Sequence, residues 1–160
     1  MGKTLNFSLQ LLLIIVLIPL ATITHAKEKK SCKNDDDSHN ELSIFVGATS
    51  NFKSTAFSAG VAYQYRLTKF IGVGALVDYA DGNIESAILG PSVFFHVSNW
   101  EFTVAPVAEF SDGDTKFVLR TGVAYEFKLK GFSISPEVNL DTERDNEFSL
   151  VYGVSFGVEF

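Results

Sequence analysis

The chain has 160 residues, one domain's worth, of which 46% are hydrophobic and 13% aromatic, enough for a sizeable core or for an apolar exterior. Its 19 acidic residues exceed its 13 basic ones, which argues against a nucleic-acid partner, because a phosphate backbone is held by clustered Lys and Arg. The single cysteine, Cys32, excludes an intrachain disulfide and a cysteine-built metal site.

Met1 to Ala26 carries one lysine, Lys3, then an apolar run from Leu9 to Ala21 broken only by Gln10 and Pro19, then Thr24-His25-Ala26. Small residues at the two positions a signal peptidase reads, after a run too short to span a bilayer, predict a cleaved signal peptide over 1–26. The charged stretch KEKKS between Ala26 and Cys32 argues against a lipid-modified cysteine. Cys32 reads as a free thiol, with intermolecular pairing left open. Residues 27–40 (KEKKSCKNDDDSHN) have almost no apolar side chains, cannot offset the entropy of folding, and are expected to form a disordered linker. Asp35-Asp36-Asp37 and His39 read there as solvated groups, not a metal site.

From Glu41 onward the pattern changes to a period of two, the mark of strands with one apolar face. Leu42, Ile44, Val46 and Ala48 share a face in the first strand, and Phe57 to Tyr65 alternate in the second, with a tight turn at Leu67-Thr68-Lys69. The third runs Phe70 to Tyr79, the fourth about Glu85 to His96, the fifth Trp100 to Phe110, the sixth Phe117 to Phe127 and the seventh Phe132 to Leu140. Asp141 to Asn146 reads as a loop. The last strand, EFSLVYGVSFGVEF, keeps Phe148, Leu150, Tyr152, Val154, Phe156, Val158 and Phe160 on one face, with Val151 the one departure. Eight antiparallel strands of this length are what a tilted transmembrane β-barrel requires, and closure is demanded because lipid cannot satisfy an open edge. The domain at 41–160 is therefore expected to be an all-β, eight-stranded up-and-down barrel. Pro91 and Pro106 lie mid-strand and are expected to mark bulges.

The second face decides between a lipid-facing barrel and a soluble one. It is rich in Gly, Ala and Ser and carries Arg66, Asp78, His96, Glu101, Glu109, Arg120, Glu126 and Glu137, which fits a narrow lumen occupied by side chains rather than a solvated exterior. The apolar face has aromatics near both strand ends: Tyr65, Phe70, Phe95, Trp100, Phe127, Phe132 and Phe160 at the short-turn end, and Phe57, Tyr79, Phe110, Phe117 and Phe148 at the other. Two such rows bounding an aliphatic band mark two membrane interfaces. Because buried charges must be paired, strand order predicts His96 with Glu101, Glu109 with Lys116, and Arg120 near Asn139 and Glu137. The inner network reads as a hydrogen-bonded plug, with a narrow polar conduit as the alternative.

On this architecture and its terminal strand, Glu41 to Phe160 resembles the small eight-stranded outer-membrane β-barrels of Gram-negative bacteria, of the outer membrane protein A and X type. The resemblance implies that the terminal strand is read by the barrel-assembly machinery through Gly153, Phe156, Val158 and Phe160, and that the turns and both termini face the periplasm. It also implies contact with outer-membrane lipid and lipopolysaccharide, and a monomer. The outer loops would then carry Asp81, Asp112, Asp114, Asp141, Glu143 and Asp145, read as solvated. Phe95-His96-Val97-Ser98-Asn99 resembles the His-x-Ser-Asn stretch of lipid A deacylases, which makes His96, Ser98 and Glu101 candidates for a nucleophilic site. Alternation places them at the periplasmic end, away from the outer leaflet, so no enzyme activity is expected. No phosphate loop, zinc spacing or dinucleotide fingerprint implies a cofactor.

Overall fold

A computed structural model describes residues 39–160, apart from 52, 83, 112 and 144–146. The expected signal peptide, most of the expected linker and Cys32 lie outside the described residues, as do Asp112 and Asp145. The alternating sequence folds into β1 (Asn40–Ser50), β2 (Thr55–Arg66), β3 (Ile71–Ala80), β4 (Ser86–Val97), β5 (Trp100–Ser111), β6 (Asp114–Tyr125), β7 (Phe127–Leu129), β8 (Phe132–Glu143) and β9 (Phe148–Glu159). Each pairs antiparallel with its neighbour, and β1 pairs with β9 to close the sheet on itself. Closure leaves no unpaired edge, the condition lipid imposes.

The nine segments make eight staves. β6 pairs with β8 from Val118↔Glu143 to Ala124↔Glu137, and β7 continues the same register from Phe127↔Ile134 to Leu129↔Phe132. The interruption falls where Tyr125 faces Pro136, which has no N–H to give. At that point the Glu126 amide still donates to the Asn99 carbonyl on the other side, at 2.7 Å.

Pro91 and Pro106 do not form bulges. The β4–β5 register is Leu89↔Ala108 on one side of the gap and Val93↔Val104 on the other, so three residues stand on each strand and Pro91 faces Pro106. The His96 amide donates to Phe70 in the β2–β3 turn and Glu126 to Asn99, which fixes the phase of the backbone rows: Pro91 and Pro106 point their backbone groups at each other. Two missing donors therefore share one rung, and the flanking ladder stays in step.

Three further expectations change. Asn40, assigned to the linker on composition, is the first residue of β1, its backbone exchanging hydrogen bonds with Phe160 at 2.9 and 3.3 Å. Asp141 and Glu143, expected in a loop, lie in β8, and Asp114 opens β6. The chain reverses at Lys130-Gly131, where φ is +88° and a side chain would be strained.

Inside, Leu76, Ile88, Ala105, Val107 and Val118 pack as one apolar cluster along the β3–β6 wall. Opposite, Gly47 and Gly153 face each other across the β1–β9 seam, and the Phe45 ring lies over both, where any Cβ would collide with it. Phe45 is out of phase with the apolar residues beside it because it belongs to the interior.

Candidate functional site

Among the described residues, the inner wall gathers buried polar chemistry, and its charges form two groups. At the end bearing the short turns and both termini, Arg66 on β2 reaches Glu41 on β1 at 3.0 Å, Glu159 on β9 at 3.2 Å and Glu126 at 3.5 Å. One guanidinium nitrogen thus sits among three carboxylates whose oxygens lie within 4.8 Å of one another. Those oxygens could hold a metal ion by their spacing, but the chain's own cation takes that place. Lys128 adds pairs to Glu126 and Glu159 at 3.5 and 3.3 Å. Of these residues Arg66 and Glu126 were legible as inward charges. Glu41 and Glu159 stand in the same phase at the strand ends, which was the available signal. Glu159, next to the terminal Phe160, joins the lumen group.

Beside this group His96 Nε2 lies 2.5 Å from the Gln64 amide nitrogen and 3.6 Å from Glu101. Gln64 is a polar group the alternation placed inward without a role. Gly72 leaves the space its amide fills. The third esterase candidate is elsewhere: Ser98 is exposed on the turn with φ +59°, and its hydroxyl is 3.3 Å from Asn99 Oδ1.

Farther along, Arg120 on β6 is nearly inaccessible and makes two 2.7 Å hydrogen bonds to Asp141 across the β6–β8 pairing. Its remaining arm donates to Asp78 on β3, across the lumen. Its partners are therefore Asp78 and Asp141, not the expected Asn139 and Glu137. Those two bind each other, Asn139 Nδ2 donating to Glu137 at 2.9 Å while Ser155 donates to the other carboxylate oxygen at 2.7 Å. Gly122 leaves room for the Asn139 amide. Lys116 stands opposite Glu109 in register, but its ammonium pairs with Glu143 at 2.7 Å: Glu143 comes from β8, on the other flank of β6, and the longer reach of Lys spans to it.

Among the described residues, the lumen holds small cavities, three of which follow one another from the loops to the turns. The one nearest the loops, about 20 Å³, is lined by Glu109, Glu143, Asp141, Asp78 and Arg120. The middle one, about 50 Å³, is lined by Asp78, Arg120, Glu101 and Glu137. The one nearest the turns, about 30 Å³, is lined by Glu101, Glu137, Glu41 and Glu126.

The outer wall is its opposite in chemistry. Phe57, Phe70 and Phe117 are the most exposed large side chains, at 60, 66 and 63%, and Tyr65, Phe95, Trp100, Phe110, Phe127, Phe132, Phe148 and Phe160 are exposed as well. Tyr79 points the same way, half-buried beside Glu85. Trp100, Tyr125 and Phe127 pack edge to face at the turn end, with ring centres 5.0 and 4.9 Å apart. Pro91, Pro106 and Pro136 also face outward. In the last strand Phe156, Val158 and Phe160 are on this wall, while Gly153 faces inward under Phe45.

No protein-family model and no curated protein matches the chain. Among solved structures, it is similar to the N-terminal β-barrel domain of Pseudomonas aeruginosa OprF, with 13% identity over 77% of this chain and 99% of that one and a TM-score of 0.57. A designed transmembrane β-barrel matches with 16% identity over 74% and 95% of the two chains, TM-score 0.53. A second design, TMB2.3, matches with 18% identity over 76% and 96%, TM-score 0.51. At these identities the likeness is one of fold: a closed eight-stranded transmembrane β-barrel.

Proposed function

We propose that the protein is an integral outer-membrane β-barrel of a Gram-negative cell, with a structural or surface role, no enzymatic activity and a lumen that passes no solutes. The observation that carries this reading is the outer wall. The staves turn apolar side chains outward, with aromatics gathered toward the turn end and the loop end, a surface that is stable against lipid. The export signal read in residues 1–26 directs such a barrel out of the cytoplasm, with both termini periplasmic, as a monomer in contact with lipid and lipopolysaccharide. Absence of enzymatic activity is supported by the hydroxyl of Ser98, which turns to Asn99 rather than joining His96 and Glu101. Absence of conduction is supported by the ion pairs that bridge the lumen, Arg120 with Asp78 and Asp141 in the middle and Arg66 with Glu41, Glu126 and Glu159 at the turn end.

Outer-membrane fractionation with heat-modifiable gel mobility tests the location, and planar-bilayer recording tests the lumen. The expected results are a folded band in the outer-membrane fraction and no channel events. A periplasmic protein that unfolds cooperatively without detergent would refute the reading.

A further inference from the structure

We propose that the lumen, while excluding solutes and ions, is a path for protons. This rests on the non-conducting reading above and adds an activity to it. The argument starts from which side chains share which cavity. Glu109 and Glu143 face Asp78 and Asp141 across the cavity nearest the loops. Asp78 faces Glu101 and Glu137 across the middle one. Glu101 and Glu137 face Glu41 and Glu126 across the one nearest the turns, and Glu126 meets Glu159 at the mouth through Arg66. From Glu109 to Glu126, each step between carboxylates crosses a single cavity that both line.

The cavities, at about 20, 50 and 30 Å³, exceed the roughly 10–15 Å³ that one water needs, and their polar walls supply its partners. A proton can cross such a chain by hopping, arriving on one carboxylate oxygen as another leaves the far side, whereas a sodium ion would have to shed its hydration shell. Arg120 stands on the wall between the loop-end and middle cavities. A lone guanidinium there would repel protons, but Asp78 and Asp141 both bind it, so the group as a whole is anionic. The hydroxyls add short links: Ser155 donates to Glu137 at 2.7 Å and Ser133 to Glu41 at 3.2 Å.

The test uses the refolded barrel in vesicles loaded with a pH-sensitive dye, with potassium and valinomycin to cancel the membrane potential, and a sodium-sensitive dye in a parallel batch. After an acid step, vesicles with the wild-type barrel are expected to acidify several-fold faster than empty ones while admitting no sodium. The double variant E101Q/E137Q, which interrupts the middle and turn-end cavities, is expected to return the rate to that of empty vesicles. Heat-modifiable mobility confirms its folding; should the double variant fail to insert, E101Q and E137Q singly are each expected to slow acidification, since each removes one of two parallel carboxylates. Wild-type acidification no faster than in empty vesicles, or a rate that these substitutions leave unchanged, overturns the proton path. Sodium entry overturns instead the non-conducting reading on which it rests.

Discussion

Arg120 joins three staves through two aspartates, and it is buried among them. Truncating it strands Asp78 and Asp141 as uncompensated charges, an effect on the order of 3–5 kcal/mol for a broken buried pair. R120A is therefore expected to lower the unfolding free energy, measured by urea titration of the folded barrel in lipid vesicles, by that amount, and D141N added to R120A is expected to recover part of it, since one stranded charge is then gone. Arg66 gives a different outcome. Its removal leaves Glu41, Glu126 and Glu159 with oxygens within 4.8 Å of one another and only Lys128 nearby. R66A is expected to gain stability from a divalent cation that the wild type ignores, by about 2.7 kcal/mol at a hundredfold excess over the dissociation constant. A midpoint of R66A unmoved by calcium or manganese would count against the tricarboxylate geometry. The partners of Arg120 also show why a sequence yields inward charges more readily than their pairings. Asp141 sits in the run DTERDN, whose polarity reads as loop, yet it continues the inward phase of Ser135, Glu137 and Asn139.

At the scale of the strands, the three barrel prolines face lipid and leave gaps in the ladder. Pro91 and Pro106 share one rung, so P91A and P106A are each expected to restore a single hydrogen bond, the pair restoring both. A net gain of about 0.5–1.5 kcal/mol per bond follows, and slowed amide exchange at the substituted residue would report it. A P91A/P106A barrel whose new amides exchange like loop amides would contradict the facing register. The strand count, faces and turn order were all legible, because lipid on one side and a narrow lumen on the other enforce alternation in every stave. Register was not. Whether a mid-strand proline makes a bulge or a vacant rung depends on the residue it faces, which local sequence does not name. The division of one stave into β6 and β7 has the same origin, in Pro136 across the sheet. Glu41 and Glu159 are not legible as inward charges because strand ends, where alternation has fewest repeats, are where a dyad pattern is weakest.

For the whole molecule, the family resemblance drawn from the sequence implies that the outward row Phe156, Val158 and Phe160 is also a signal to the assembly machinery, and removing the last residue tests it. Deleting Phe160 removes two backbone hydrogen bonds with Asn40 and the contact of the Asn40 amide with the Phe160 carbonyl at 3.2 Å, a modest loss at the end of the seam. The deletion is expected to reduce outer-membrane levels far more than it lowers the unfolding midpoint of protein refolded in vitro; normal levels in cells would argue against an assembly role. The seam that Asn40 and Phe160 begin has a consequence in time. It joins residues 120 apart in the chain, so the loop it closes is nearly the whole barrel, and such long-range pairings form late because their entropy is lost before any contact repays it. Until β9 meets β1, both strands present rows of unpaired amides and carbonyls that a bilayer cannot satisfy. The half-made barrel is thus its own most hazardous state, and its lifetime is set by how quickly the last strand to be synthesised finds the first.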